Sequence, residues 1–159
     1  VRLTYFPLAH VKSLAIDTAP FIYFIEKHPT YIDRMRLVMQ HIVTPSQTTA
    51  YASVMTLAEV LVQPLKTGNI VLAQHYERIL VQTKRLNLIN ITPAIARQTA
   101  KLRSDYGIKT PDALHIATAI VSGCDGFLTN DRTLKRIHEI NVIILDNLTS
   151  APQDFRIHS

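Results

Sequence analysis

The sequence predicts an α/β fold, a three-layer α/β/α sandwich around a mostly parallel central sheet. Short apolar, β-favouring runs alternate along the chain with longer segments of helical periodicity. Strands and helices in alternation imply parallel pairing, with crossover helices covering both faces. At 159 residues, 47% hydrophobic and 18% charged, the chain is long enough for one domain with a full core. The expected division is an N-terminal extension over residues 1–12, the domain over 13–148 and a polar tail over 149–159.

Ser13-Leu14-Ala15-Ile16 is short and apolar and stops at Asp17, which predicts a buried first strand. Thr18-Ala19-Pro20 then opens a helix to about residue 28, with Asp17 or Thr18 as its cap and Pro20 in its first turn. A second helix is expected over 31–40, followed by a loop through Pro45. Residues 49–54 favour a strand, and 56–61 a helix that the Pro64-Leu65-Lys66-Thr67-Gly68 segment interrupts.

Over 69–84, Ile70, Leu72, Ala73, Tyr76, Ile79 and Leu80 recur at the spacing of an amphipathic helix. Residues 86–91 read as a strand. Thr92-Pro93 begins a helix that Gly107 stops, and Thr110-Pro111 begins another that Gly123 closes. A strand over 126–129, a helix over 132–137 and a last strand over 142–145 complete the pattern. No internal repeat, linker or low-complexity stretch interrupts it.

In sheets of this kind ligands bind beyond the carboxyl ends of the strands, where the connection order reverses. Asp17 and Asp131 directly follow predicted strands and belong at that edge. Asp112 opens a helix, so only tertiary folding can place it. Asp in a first helical turn is also an ordinary helix starter, and that reading of Asp112 and Asp131 stays open. Glu59 lies among Leu57, Ala58, Val60, Leu61 and Val62, with no basic residue three or four positions away. A charge in such a setting is costly unless it is paired or binds a metal. Carboxylates gathered at one sheet edge point to a hard divalent cation, since Mg²⁺ and Mn²⁺ favour oxygen ligands. Thr18, Thr129 and Asn130 add neutral oxygens, either to orient water or phosphate or simply as turn and cap residues. His115 shares a helix face with Asp112 and reads as a packed or hydrogen-bonded histidine rather than a ligand.

Other chemistries are poorly served. The lone Cys124 excludes an internal disulfide framework and makes a thiolate zinc site implausible, which fits a reducing cytoplasm. There is no Gly-x-x-x-x-Gly-Lys loop and no Gly-x-Ser-x-Gly elbow, and four glycines leave little for a phosphate cradle. A receiver domain would need a phosphoacceptor Asp where Thr92-Pro93 stands, and a dehalogenase-type phosphatase would need Asp-x-Asp where Asp17-Thr18-Ala19 stands. No apolar run approaches the roughly 20 residues that span a bilayer, and the N-terminus shows no secretory pattern. The chain opens on Val rather than Met, which leaves room for a short missing N-terminal piece. A net charge of +5 and a pI near 9.5 favour a polyanionic partner.

Four segments taken together resemble the PIN-domain family, and within it the VapC-like toxins of bacterial toxin–antitoxin pairs. They are Ala15-Ile16-Asp17-Thr18, Thr56-Leu57-Ala58-Glu59-Val60-Leu61, Thr110-Pro111-Asp112-Ala113-Leu114-His115-Ile116-Ala117-Thr118-Ala119 and Phe127-Leu128-Thr129-Asn130-Asp131. The resemblance covers about residues 13–148, and the segment around Asp112 is its most specific part. It implies a metal-dependent ribonuclease with Asp17, Glu59, Asp112 and Asp131 around one or two Mg²⁺ or Mn²⁺ ions. Asp17 and Asp112 would be direct ligands, Glu59 a ligand or the holder of a water, and Asp131 part of a second site. It also implies a homodimer silenced by a small antitoxin protein. Single-stranded RNA suits a narrow edge better than a duplex does. The competing reading is a non-catalytic PIN-fold module that binds RNA or a partner. The apolar stripes of Phe21, Phe24 and Ile25, and of Leu72, Tyr76 and Ile79, are either a partner surface or ordinary core.

Overall fold

The strands pair in the order β3-β2-β1-β4-β5, all parallel, in the computed structural model, which describes residues 8–44 and 48–148. Among those residues the strands are β1 (Ser13–Ile16), β2 (Thr49–Ser53), β3 (Leu86–Ile89), β4 (Gly126–Thr129) and β5 (Val142–Ile144). The helices are α1 (Thr18–Ile25), α2 (Ile32–Val43), α3 (Val54–Thr67), α4 (Ile70–Gln82), α5 (Pro93–Tyr106) and α6 (Thr110–Val121). The chain builds outward from β1 to β2 and β3, then crosses back to lay β4 on the other side of β1. The β1/β4 boundary is therefore where the connection order reverses.

Alternation along the strands sorts side chains onto two faces. Leu14 and Ile16 of β1 join Phe21, Met35, Val38, Tyr76, Leu80 and Leu128 in one core beneath α1–α4. Ala15 faces the other core, with Ile95, Leu102, Ala113, Ile116, Ala117 and Phe127 beneath α5 and α6. The result is the expected three-layer α/β/α arrangement. The first core reaches upstream of Ser13, because Leu8 (0% exposed) and Val11 (7%) are buried in it.

Several element boundaries depart from expectation for identifiable reasons. Pro64 does not interrupt α3, which runs on to Gly68. Pro64 is buried, and its packing offsets the one backbone hydrogen bond it cannot donate. Gly68 ends the helix with φ 70°, the left-handed cap a side chain would resist. Helix α1 stops at Ile25, short of residue 28, with Lys27 in the left-handed region. The strand expected over 49–54 ends at Ser53, whose hydroxyl accepts from Met55 N and starts α3 at Val54. Residues 132–136 form a 3-10 helix instead of an α-helix. Its closing bond, Leu134 N to Asp131 O at 3.2 Å, spans three residues, as suits so short a turn.

Phe21, Ile25 and Tyr76 are buried in the first core, with Phe24, Leu72 and Ile79 packed against it half-buried. Those stripes are core rather than partner surface. The large apolar side chains that remain exposed on α3 and α4 are Val62, Leu65, Ile70, Val71 and Val81.

Candidate active site

Strand β1 delivers Asp17 to the carboxyl edge of the sheet, and both of its carboxylate oxygens are held there. Oδ1 accepts from Thr18 N at 2.8 Å and so caps α1. Oδ2 accepts from the Thr129 hydroxyl at 2.8 Å, across the β1/β4 boundary. Thr129 is fully buried, and its Oγ1 also accepts from Asp131 N at 3.1 Å. Asp131 caps the following 3-10 helix, its Oδ1 taking Thr133 N at 2.9 Å and Thr133 Oγ1 at 2.6 Å. Asn130 Oδ1 accepts from Asp146 N at 3.1 Å and ties this loop to the end of β5. Asp131 and Thr129 are thus cap and turn residues as well as members of the acidic edge.

Helix α3 brings Glu59 to the same edge. Its Oε1 lies 2.5 Å from His115 Nε2 and 3.0 Å from Thr18 Oγ1. Thr18 Oγ1 is in turn 3.1 Å from Thr56 Oγ1 and 3.2 Å from His115 Nε2. Two buried side chains, Thr18 and His115, therefore converge on one oxygen of Glu59, and buried Thr56 backs the Thr18 hydroxyl. The hydrogen bond from His115 holds the Glu59 carboxyl below its ordinary pKa, outweighing the opposing effect of burial. Burial pushes the His115 pKa down, but the hydrogen bond to Glu59 and the charges of Asp17, Glu59 and Asp112 turn the net shift upward.

Asp112 sits in the first turn of α6, half-buried, near the helix start where unpaired N–H groups favour its charge. Its pKa is nonetheless raised, first by burial, then by Asp17, Asp131 and Glu59, with His115 opposing. All four predicted acids thus act on one neighbourhood. Among the described residues no lysine or arginine forms a salt bridge with any of them. No group of three His, Cys, Asp or Glu side chains there is drawn together at ligand spacing, as suits carboxylates that repel one another.

The donor set is suited to a hard divalent cation: carboxylate oxygens with hydroxyls beside them, which among the described residues no lysine or arginine ion-pairs. Burial is the first cause of the raised Asp112 pKa, and the charges of Asp17, Asp131 and Glu59 add to it.

The sequence reading located the acids but not the partner of Glu59, which comes from α6 and is 56 positions away. The apolar setting of Glu59 was the signal that a partner had to exist, and the shared face of Asp112 and His115 showed which helix could supply it. Thr56, one helical turn before Glu59, carried a weaker signal of the same kind.

The sequence model of the PIN domain matches residues 14–140. Solved structures similar to this chain include VapBC2 from Rickettsia felis bound to a promoter DNA fragment. That match has a TM-score of 0.65 and 22% identity, and covers 83% of this chain and 98% of that one. A toxin–antitoxin complex from Klebsiella pneumoniae matches with TM-score 0.62 and 23% identity, covering 83% and 97%. VapC20 from Mycobacterium tuberculosis, described as a sarcin–ricin loop cleaving toxin, matches with TM-score 0.61 and 11% identity, covering 80% and 98%. At these identities the structures establish the shared fold. No curated relative matches the sequence to significance.

Proposed function

This chain belongs to the PIN-domain family, and from that premise we propose that it is a metal-dependent ribonuclease that hydrolyses phosphodiester bonds of single-stranded RNA. The observation that carries the reading is the shared neighbourhood of Asp17, Glu59, Asp112 and Asp131 at the β1/β4 boundary, where among the described residues no lysine or arginine pairs with them. Asp17 and Asp112 would bind the ion directly, Glu59 would bind it or hold a water, and Asp131 would complete a second position. A bound Mg²⁺ or Mn²⁺ would supply Lewis acidity toward the phosphodiester and an acidified water.

The chain's own residues do the positioning. Thr129 and the start of α1 fix both oxygens of Asp17, and Asn130 holds the adjoining loop against the end of β5. Thr18 and Thr129 spend their hydroxyls on Glu59 and Asp17, so orientation of water or phosphate through them acts by way of those carboxylates. A chain of net charge +5 favours approach of the polyanion.

The biological setting that fits is the toxin of a toxin–antitoxin pair in the cytoplasm. It is supported by the Rickettsia and Klebsiella structures, which are toxin–antitoxin complexes. A homodimer is supported by the apolar side chains of Val62, Leu65, Ile70 and Val71, each exposed on α3 or α4. Light scattering should find a dimer at micromolar protein, and a monomer across that range would contradict this part of the proposal.

Purified protein incubated with single-stranded RNA in Mn²⁺ or Mg²⁺ tests the activity. Cleavage should require the metal, stop with EDTA, and fall by about 10²–10³ in Asp112→Asn, the order seen when one electrostatic transition-state contact is removed. RNA binding without metal-dependent cleavage would instead identify a non-catalytic module of the same fold.

A further inference from the structure

His115 has a place in this site that the acids alone do not explain. It is 3% exposed, one helical turn along α6 from Asp112, so one helix supplies a cluster carboxylate and a buried imidazole on the same face. The imidazole and the Thr18 hydroxyl both address Glu59 Oε1, at 2.5 Å and 3.0 Å. A carboxylate only accepts hydrogen bonds, so both groups donate to it, and the imidazole hydrogen sits on Nε2. Nδ1 is buried without a hydrogen-bond partner among the described residues. A buried ring nitrogen left unsatisfied, as acceptor or as donor, is a standing cost, and the hydrogen bond from Nε2 to Glu59 offsets it. Oε2, in contrast, has no partner among the described residues, on a side chain that is 35% exposed. With Oε1 engaged twice from the interior, Oε2 is the oxygen of Glu59 left for a ligand.

We infer that His115 is a positioning residue that locks Glu59 through Oε1, so that Oε2 is the oxygen Glu59 would offer a divalent ion. The inference rests on the proposed metal-dependent reading and adds to it the way one ligand is aimed. Partners that orient a metal-binding carboxylate fix its direction, and their loss usually weakens metal affinity by about 10–100-fold.

Two amide substitutions separate the donor from the bulk of the ring. Gln can place its amide nitrogen where Nε2 stood, within reach of Glu59, whereas Asn reaches only the position of Nδ1. Calorimetric titration of Mn²⁺ into the full chain should give affinity within about threefold of wild type for His115→Gln and about 10–100-fold weaker for His115→Asn. The metal concentration giving half-maximal RNA cleavage should shift in the same ratio, with a smaller change in the rate at saturating metal. Melting in EDTA establishes that each variant is folded, and His115→Leu replaces the Asn variant if the latter does not melt cooperatively. Equal affinity in all proteins, or equal weakening by Gln and by the variant lacking the donor, would overturn the positioning role alone. No Mn²⁺ binding by the wild type would overturn the metal-dependent reading, and this inference with it.

Discussion

Asp112 stands half-buried in the first turn of α6, with its charge opposed by burial and by Asp17, Asp131 and Glu59. A carboxyl whose pKa rises on folding holds its proton more firmly in the native state than in the unfolded one. Its ionisation therefore subtracts stability as pH climbs from the ordinary carboxylate range through the raised value. Asp112→Asn removes that penalty while keeping the shape of the side chain. The variant should lose cleavage yet, in EDTA at neutral pH, melt at or above the wild-type temperature. A clear drop in melting temperature would mean that Asp112 is chiefly a structural residue. Asp17 and Asp131 could be set at the sheet edge from the sequence because a strand end is a local feature, whereas only the folded chain places Asp112 beside them. The link from His115 to Glu59 was not legible there either, since it joins α6 to α3 across the site.

Strand β1 carries Asp17, and its entry is pinned by Asp125 just before β4. Asp125 Oδ2 accepts from Lys12 N at 2.9 Å and Ser13 N at 3.2 Å, while its own N–H donates to Ser13 O at 2.9 Å. The backbone hydrogen bond from Lys12 leads the effects that hold the Asp125 carboxyl below its ordinary value of 3.8. A depressed carboxyl contributes stability above its unfolded pKa and loses it as pH falls through the folded one. Asp125→Ala should therefore melt below wild type at neutral pH, with the gap closing as the solution is acidified below about 4. A gap independent of pH would mean that the latch does not act through the charge. At this scale the sequence showed the order and type of the elements well, because periodicity and the start and stop signals at Thr92 and Gly107 are encoded nearby. It misjudged Pro64, because burial decides whether a proline is tolerated and burial is a tertiary fact.

The sheet order brings the site into being. Only because β4 returns to the far side of β1 do Asp17 and the Thr129–Asp131 turn become neighbours, and α6 then lays Asp112 beside them. The alternation of strands and helices announced a parallel sheet, but strand order depends on long-range pairing that no local pattern records. The apolar surface was equally hidden. The residues that looked richest, Phe21 and Tyr76, are interior, while Val71 at 78% exposure is the most open large apolar side chain among the described residues.

Crowded negative charge and a bound cation are linked through the stability of the entire fold. A ligand that binds only the native state stabilises it by RT ln(1 + [L]/Kd), about 2.7 kcal/mol at a hundredfold excess over Kd. For a domain of this size that amounts to a rise of roughly 5–10 °C. Thermal melts of the wild type and of Asp17→Asn/Asp112→Asn, each with EDTA and with millimolar Mn²⁺, therefore test the central claim most directly. The account predicts a rise of several degrees with metal in the wild type and little or none in the double variant. No rise in the wild type, or an equal rise in both proteins, would contradict it.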